Sequence, residues 1–348
     1  MIIHPIEEKT IKLFSGRKQE LMDLEYLLRA LNLAVIEGPY GVGKTSLGNY
    51  YRFSKKSFIT PKKEISTDPR WTTKDFLHEV LKSLLDTIAE DKDLLKTHFM
   101  RSLLTRYNYL VENKVGMEIL GNSLTYEEKD SRASVQTVAG LSDDLASLAK
   151  YMNEQGKEVI IQLNNLDLGS SFNKKDFLRF FSLNRNVFQI ESVKWILTGS
   201  EGLSDLFFSE LIKFGSLLGE PIKLKALESG AMLDTIKKRD LYIFNDKTMK
   251  YLVKDNDLRV ILKKLNFYKE GNKTSLFDRD KFTEKELLCL DVMKDQSLTQ
   301  KQLEDKLGVG KTTVHKRIKE LMFKRAVVKD KENKYRISFE IYHSFYLK

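Results

Sequence analysis

The sequence predicts an α/β fold, a parallel sheet with helices packed on it, joined to a helical segment and a small basic domain at the carboxyl end. Three observations carry that prediction. A short apolar run, Leu33 to Ile36, leads into Gly38-Pro39-Tyr40-Gly41-Val42-Gly43-Lys44-Thr45 and then into a helical pattern. Two further runs, "EVIIQL" from Glu158 and "VKWIL" from Val193, read as strands. The stretch "LTQKQLEDKLGVGKTTVHKRIKEL", from Leu298, has helical spacing on both sides of a glycine turn.

Composition narrows the class. With 348 residues, 41% hydrophobic and 31% charged, the chain can bury a large core and divide into two or three domains. A single cysteine, Cys289, rules out an intrachain disulfide framework and Cys-rich zinc patterns, which fits a reducing, cytoplasmic setting. The first ten residues lack a basic-then-apolar leader pattern, and no apolar run nears the roughly 20 residues needed to span a bilayer. A soluble protein without a membrane partner is therefore expected. A net charge of +10 points toward a polyanionic partner such as nucleic acid.

The five letters GVGKT occur twice, at Gly41–Thr45 and Gly308–Thr312. The first copy completes G-x-x-x-x-G-K-[ST] behind a strand and ahead of a helix, the arrangement a phosphate-binding loop needs. Gly38, Gly41 and Gly43 permit the left-handed turns and close backbone approach of a loop wrapped on an anion. Val42 and Ser46 complete the cradle, Lys44 reaches the β and γ phosphates, and Thr45 offers its hydroxyl to Mg2+. ATP or ADP with Mg2+ is the expected ligand.

The second copy has Asp305 where the first glycine should be, and a helix rather than a strand before it. Here Thr299 caps one helix, Leu303 and Leu307 face its core, and Gly308 makes the turn. Val314, Ile318 and Leu321 line the buried side of the next helix. Its outward face carries Lys311, Thr312, Thr313, His315, Lys316, Arg317 and Lys319, and "AVVKDKENKYRIS" adds two β-prone runs around a polar turn containing Lys334. Residues 278–348 hold 17 Lys and Arg against 12 Asp and Glu. This resembles the helix-turn-helix of winged-helix DNA-binding domains. The resemblance implies Lys and Arg on phosphates, and Thr312, Thr313 and His315 as base readers on duplex DNA. The alternative is a winged helix that contacts protein or packs on its own ATPase domain.

Upstream, "LFSGRKQELMDLEYLL" resembles the entry sequence of the origin-recognition and helicase-loader branch of AAA+ ATPases and of the related STAND ATPases. The resemblance implies Phe14, Gly16 and Arg17 near the base edge of the nucleotide. The magnesium strand of that family ends in a pair of carboxylates. The best candidate here, "KEVIIQLNNLDLG", has Asn164 and Asn165 in their place. An amide is a poor general base, so slow or absent hydrolysis is expected, with Asp167 or Glu201 as partial replacements. Thr198 or Ser200 fits the first sensor, while strand-end polar residues are the bland reading. "LVKDNDLRVILKKL" resembles the family's second-sensor segment and implies that role for Arg259, a structural ion pair being the alternative. No arginine lies between Asn186 and Lys238, so the intersubunit finger is missing, with Arg185 and Arg239 as weak substitutes, and a homo-oligomer or protein partner stays open.

The resemblance covers nearly the whole chain and implies an AAA+ P-loop domain over 1–225, a helical lid over 226–276 and a winged helix over 277–348. A helical insert is expected at about 75–142, either as a partner-binding element or as added core; its apolar stripe favours core. The implied function is nucleotide-controlled DNA binding, with a nucleotide-gated signalling or assembly scaffold as the second hypothesis. A small-molecule kinase is a third, but it leaves the lid and the winged helix without a role.

Overall fold

In the computed structural model, strand β1 (Leu33–Glu37) is buried along its whole length, as a central strand of a parallel sheet must be. The structure describes residues 5–107, 137–166, 173–208, 214–244, 246–253, 258–269, 282–294, 296–330, 332–338 and 341–342. They fall into two compact units, His4–Lys225 and Ala226–Lys348.

In the first unit β1 pairs in parallel with β5 (Val193–Gly199) and β6 (Ile222–Lys223). On the far side of β5 lies β4 (Glu158–Leu166), also parallel, with Ile161 opposite Trp195. Two short pieces, β2 (Phe58–Ile59) and β3 (Ile65–Ser66), pair with the start and the end of β4. The order is β2–β4–β5–β1–β6 with β3 also on β4. Between the two edge pieces sits Pro61, which has no N–H to give the ladder.

The side-chain period of two sorts the strands onto two helical layers. Leu33, Val35, Val159, Ile161, Leu163, Val193, Trp195 and Leu197 belong to one apolar cluster, whereas Ala34, Ile36, Ile160 and Ile196 belong to the other. The second layer is α1 (Lys18–Ala30) and α2 (Lys44–Phe53), through Leu24, Leu28, Leu47 and Tyr51. The first contains α3 (Thr73–Ile88), α4 (His98–Arg106), α5 (Val138–Glu154), α6 (Lys174–Asn184) and α7 (Leu203–Phe207). Thus the described helices of the expected insert face the core. A capping box closes the start of α3, where Thr72 accepts from the Asp75 N–H and Asp75 accepts from Thr72. Seven apolar residues from Phe76 to Ile88 follow, all buried.

The second unit has one apolar core of its own. It contains α8 (Ser229–Lys238), α9 (Asp246–Val253), α10 (Leu258–Lys269), α11 (Glu284–Met293), α12 (Gln300–Leu307) and α13 (Lys311–Phe323). An antiparallel pair, β7 (Val327–Lys329) and β8 (Tyr335–Ile337), follows, and Leu298 exchanges two backbone hydrogen bonds with Tyr335. Capping boxes at Thr283 with Glu286 and at Thr299 with Gln302 start α11 and α12. Gly308, with φ 62°, ends α12 in the left-handed conformation that suits a residue without Cβ.

Candidate nucleotide site

The loop between β1 and α2 has the backbone of a phosphate cradle. Gly41 and Gly43 have φ of 80° and 101°, and a Cβ at either would meet nothing within 4 Å, so it is backbone conformation and not crowding that calls for glycine there. Gly38 is different in kind: a Cβ there would stand 2.5 Å from the Leu224 carbonyl oxygen, so the chain can pass only without a side chain. Gly43 is the N-cap of α2, no side chain caps it, and the first turn carries no acid. The positive end of the helix is thus left for an anion. Lys44 Nζ donates to the carbonyls of Gly38 (2.8 Å) and Pro39 (2.9 Å). These are carbonyls of the same loop, so its ammonium is already held over the cradle.

Asn164 and Thr198 come to this loop from β4 and β5. Asn164 is 2% exposed, and its Nδ2 donates to Thr45 Oγ1 at 3.3 Å. Its Oδ1 accepts from Gln162 Nε2 at 3.0 Å and from the Thr198 hydroxyl. Asn165 goes elsewhere. The β4 register shifts between Leu163 and Leu166, and Asn165 takes φ 61° and donates to Ser66 Oγ at 3.2 Å on the edge piece β3. Asp167 lies outside the described residues. Glu201 is exposed just beyond β5, and Ser200 is half-buried. Among the described residues no group of three or more His, Cys, Asp or Glu could hold a metal ion.

The residues therefore fit a nucleotide's phosphates: left-handed glycines, an uncapped helix start and one lysine. They do not fit magnesium in the same way, because the β4 end offers an amide N–H to the Thr45 hydroxyl in place of a carboxylate.

The entry segment reaches the same loop. Arg17, left-handed at φ 63°, donates to the Val42 carbonyl (3.1 Å) and the Lys225 carbonyl (2.5 Å) and pairs with Glu20 at 2.8 Å. Gly16 beside it has φ 75°. Phe14 stacks on Tyr50 of α2 with ring centroids 4.2 Å apart. Ser46 Oγ accepts from the Ile6 N–H (3.2 Å), and Asn49 Nδ2 donates to the Ile6 carbonyl (2.8 Å). The segment from residue 5 to Arg17 thus clasps the loop and the helix behind it.

Several residues that hold this arrangement carry only a faint mark in the sequence. Gln162 sits buried inside an otherwise apolar run, and its packing explains Gly48: a Cβ at that position would lie 2.6 to 2.8 Å from the Gln162 amide. A glycine inside a helix and a polar residue inside a central strand were the available signals. Glu37, 1% exposed at the end of β1, accepts from the Ser204 N–H and hydroxyl, both at 3.0 Å, and so ties β1 to α7. Arg52, also buried, donates to Asn49 (2.9 Å), to Thr60 (3.2 Å) and to the Pro61 carbonyl, and lies 3.4 Å from Glu64. Burial pulls its guanidinium down to about 10, against the pull of Glu64, so it stays charged at neutral pH.

The remaining expected residues lie in the second unit. Arg259 is half-buried on α10. On α13, Lys311, Thr312, Thr313, His315, Lys316 and Lys319 are exposed. Arg317 is half-buried and near Cys289; burial raises that thiol to about 11 while Arg317 pulls it down. Lys334, between β7 and β8, pairs with Glu332 at 2.5 Å.

Strand, left-handed glycine loop, lysine and helix together define a P-loop NTPase domain. More particularly, residues 29–201 match the KAP family P-loop domain. A search of curated proteins gave no match. Similar solved structures include the Walker-type ATPase PABY2304 of Pyrococcus abyssi, with 15% identity, 98% of each chain covered and a TM-score of 0.46. Another is the ORC2 protein of Aeropyrum pernix, with 12% identity, 98% of this chain and 93% of that one, and a TM-score of 0.44. A third is CDC6P from Pyrobaculum aerophilum, with 12% identity, 92% and 89% coverage and a TM-score of 0.43. All three likenesses are distant. No helix among the described residues is long and apolar enough to cross a membrane.

Proposed function

We propose that the protein is a nucleotide-controlled DNA-binding protein: ATP or ADP occupies the β1–α2 loop, turnover is slow or absent, and α13 is the recognition helix of a winged helix on duplex DNA. The observation that carries the DNA part is the outward face of α13. Six polar or basic residues, Lys311, Thr312, Thr313, His315, Lys316 and Lys319, are exposed together, while Val314, Ile318 and Leu321 are buried beneath them. Such a face neutralises phosphates and leaves short polar side chains for base edges. The β7–β8 hairpin after α13, and the pairing of Leu298 with Tyr335, support the winged-helix reading.

Slow turnover follows from Asn164 and Asn165: neither amide removes a proton from water, and Asn165 is bonded to Ser66. Hydrolysis below about 1 per second is expected, under the ordinary enzyme range. Nucleotide state is then a position rather than a cycle, and Arg259 is the proposed residue through which the second unit senses it.

The test is a gel-shift titration on duplex DNA with Lys316→Glu and Lys319→Glu combined. Charge reversal is expected to abolish binding, and wild-type affinity is expected to fall steeply with salt as counterions are released. Unchanged affinity contradicts the proposal.

A protein-docking reading of α13 has one observation in its favour: Phe323, at the end of the helix, is 90% exposed. If Phe323→Ser removes a partner while DNA binding persists, that reading is the better one.

A further inference from the structure

The geometry points to a nucleotide site that holds its polyphosphate without a protein-anchored divalent cation, so that ATP or ADP binds nearly as well in a chelator as in Mg2+. This rests on the reading that the β1–α2 loop binds a nucleotide.

A P-loop threonine serves a cation by turning an oxygen lone pair toward it. Thr45 Oγ1 already uses one of its two lone pairs on a hydrogen bond from Asn164 Nδ2 at 3.3 Å, and the amide N–H2 facing it gives its proton no acceptor, where a carboxylate would take that proton and free the oxygen for metal. The orientation of that amide is set by its other end. Asn164 Oδ1 accepts from Gln162 Nε2 at 3.0 Å and from the Thr198 hydroxyl. Turning the Asn164 amide over by itself would set its N–H2 against the N–H2 of Gln162, donor against donor.

Only a concerted turn of both amides would give Thr45 an acceptor. Gln162 Oε1 now lies buried without a hydrogen-bond partner, so after the turn a buried N–H2 would stand in that unpartnered place. The turn would also cost the 3.5 Å contact from Gln162 Nε2 to the Thr45 carbonyl. The arrangement that directs a donor at Thr45 is therefore the one the surrounding residues select.

Charge leads the same way. A divalent cation of magnesium's hardness is bound through carboxylates, water and substrate phosphates. Asn164 and Asn165 are neutral, and the β4 bulge that places Asn165 at φ 61° directs it to Ser66. The counter-charges available to a polyphosphate from the described residues of this loop are Lys44 and the uncapped start of α2. Both act without metal.

The experiment is isothermal titration of ADP and of ATP into the full chain, in excess Mg2+ and again in excess EDTA. The expected ratio of the two dissociation constants is below about fivefold, because the cation then contributes only through the phosphates it already neutralises. A ratio above about fivefold overturns the proposal. No heat in either buffer overturns the nucleotide reading itself and this inference with it, a result distinct from binding in Mg2+ alone. In Asn164→Asp the carboxylate can accept from Thr45, Thr198 and Gln162, and Mg2+ is expected to tighten binding by about tenfold or more. A variant that folds and binds yet shows the wild-type ratio contradicts the role given to Asn164. Should the variant fail to fold, the wild-type ratio still decides.

Discussion

Two copies of the same five residues adopt two structures, and the difference lies in what precedes them. At Gly41–Thr45 the chain arrives from a buried strand, Gly41 and Gly43 are both left-handed, and Lys44 folds back on the carbonyls of Gly38 and Pro39. At Gly308–Thr312 it arrives from a helix. There Gly308 is the left-handed C-cap of α12, and Gly310 has φ −68° and ψ 160°, ordinary extended backbone. In both copies a helix begins at the lysine. A strand end must be followed by a loop before a helix can turn back, and that loop becomes a cradle; a helix end needs only a turn. Identity over five residues therefore carries less information than the element before them.

The two lysines are expected to differ most. If Lys44 meets the phosphates as proposed, Lys44→Ala is expected to weaken nucleotide binding by roughly 2 kcal/mol, about 30-fold in Kd. Lys311→Ala is expected to leave nucleotide affinity unchanged. Calorimetry on the two variants reads this directly.

Next comes the floor of the first copy. Gly48→Ala improves helix propensity yet drives a methyl group into the Gln162 amide. A net loss of about 1–2 kcal/mol is expected in chemical denaturation of the first unit, overpacking exceeding the propensity gain. A stabilised variant would mean that α2 can move away from β4.

The glycines of the two copies differ in backbone as well. Gly43→Ala forces a side chain to φ 101° and is expected to cost about 1–2 kcal/mol, whereas Gly310→Ala, at a φ any residue adopts, is expected to cost about 0.5 kcal/mol or less. Thermal melts of both variants compare the two.

The smallest effect is a pH dependence confined to the second unit. Burial pushes the Glu286 carboxyl up, but Lys324 at 2.8 Å and the Thr283 N–H and hydroxyl outweigh it, and its pKa lies below the ordinary value. A depressed folded value means that its stabilisation is present above the unfolded pKa and is lost as pH falls through the folded one. Acid titration of the melting temperature is expected to show that loss below about pH 4.5, and Glu286→Gln is expected to flatten it.

Much of the fold was legible because burial leaves a mark on strands. β1, β4 and β5 are largely apolar runs that read as strands, and the α/β fold with a parallel sheet followed from the glycine loop after the first of them and from the family resemblance. The two-residue pieces β2, β3 and β6 left no such mark: each is held by its partner strand, and the Pro61 interruption reads locally as a loop. At the site, the glycine loop and Lys44 were legible from spacing, and the amides of Asn164 and Asn165 from their departure from a carboxylate pair. The partners were not. That Asn164 faces Thr45 while Asn165 faces Ser66 depends on a register shift in β4 that no periodicity encodes. Gln162 under Gly48 and Glu37 under Ser204 are contacts between distant segments, visible only once the sheet is assembled.

The proposed function requires that nucleotide in the Gly41–Thr45 loop alter the binding of DNA by α13. It is tested by measuring duplex DNA affinity with and without saturating ATP or ADP, in the wild type and in Lys44→Ala. Nucleotide is expected to change the wild-type DNA Kd and to leave that of Lys44→Ala unchanged. A wild-type Kd indifferent to nucleotide, or an equal shift in both proteins, would contradict it.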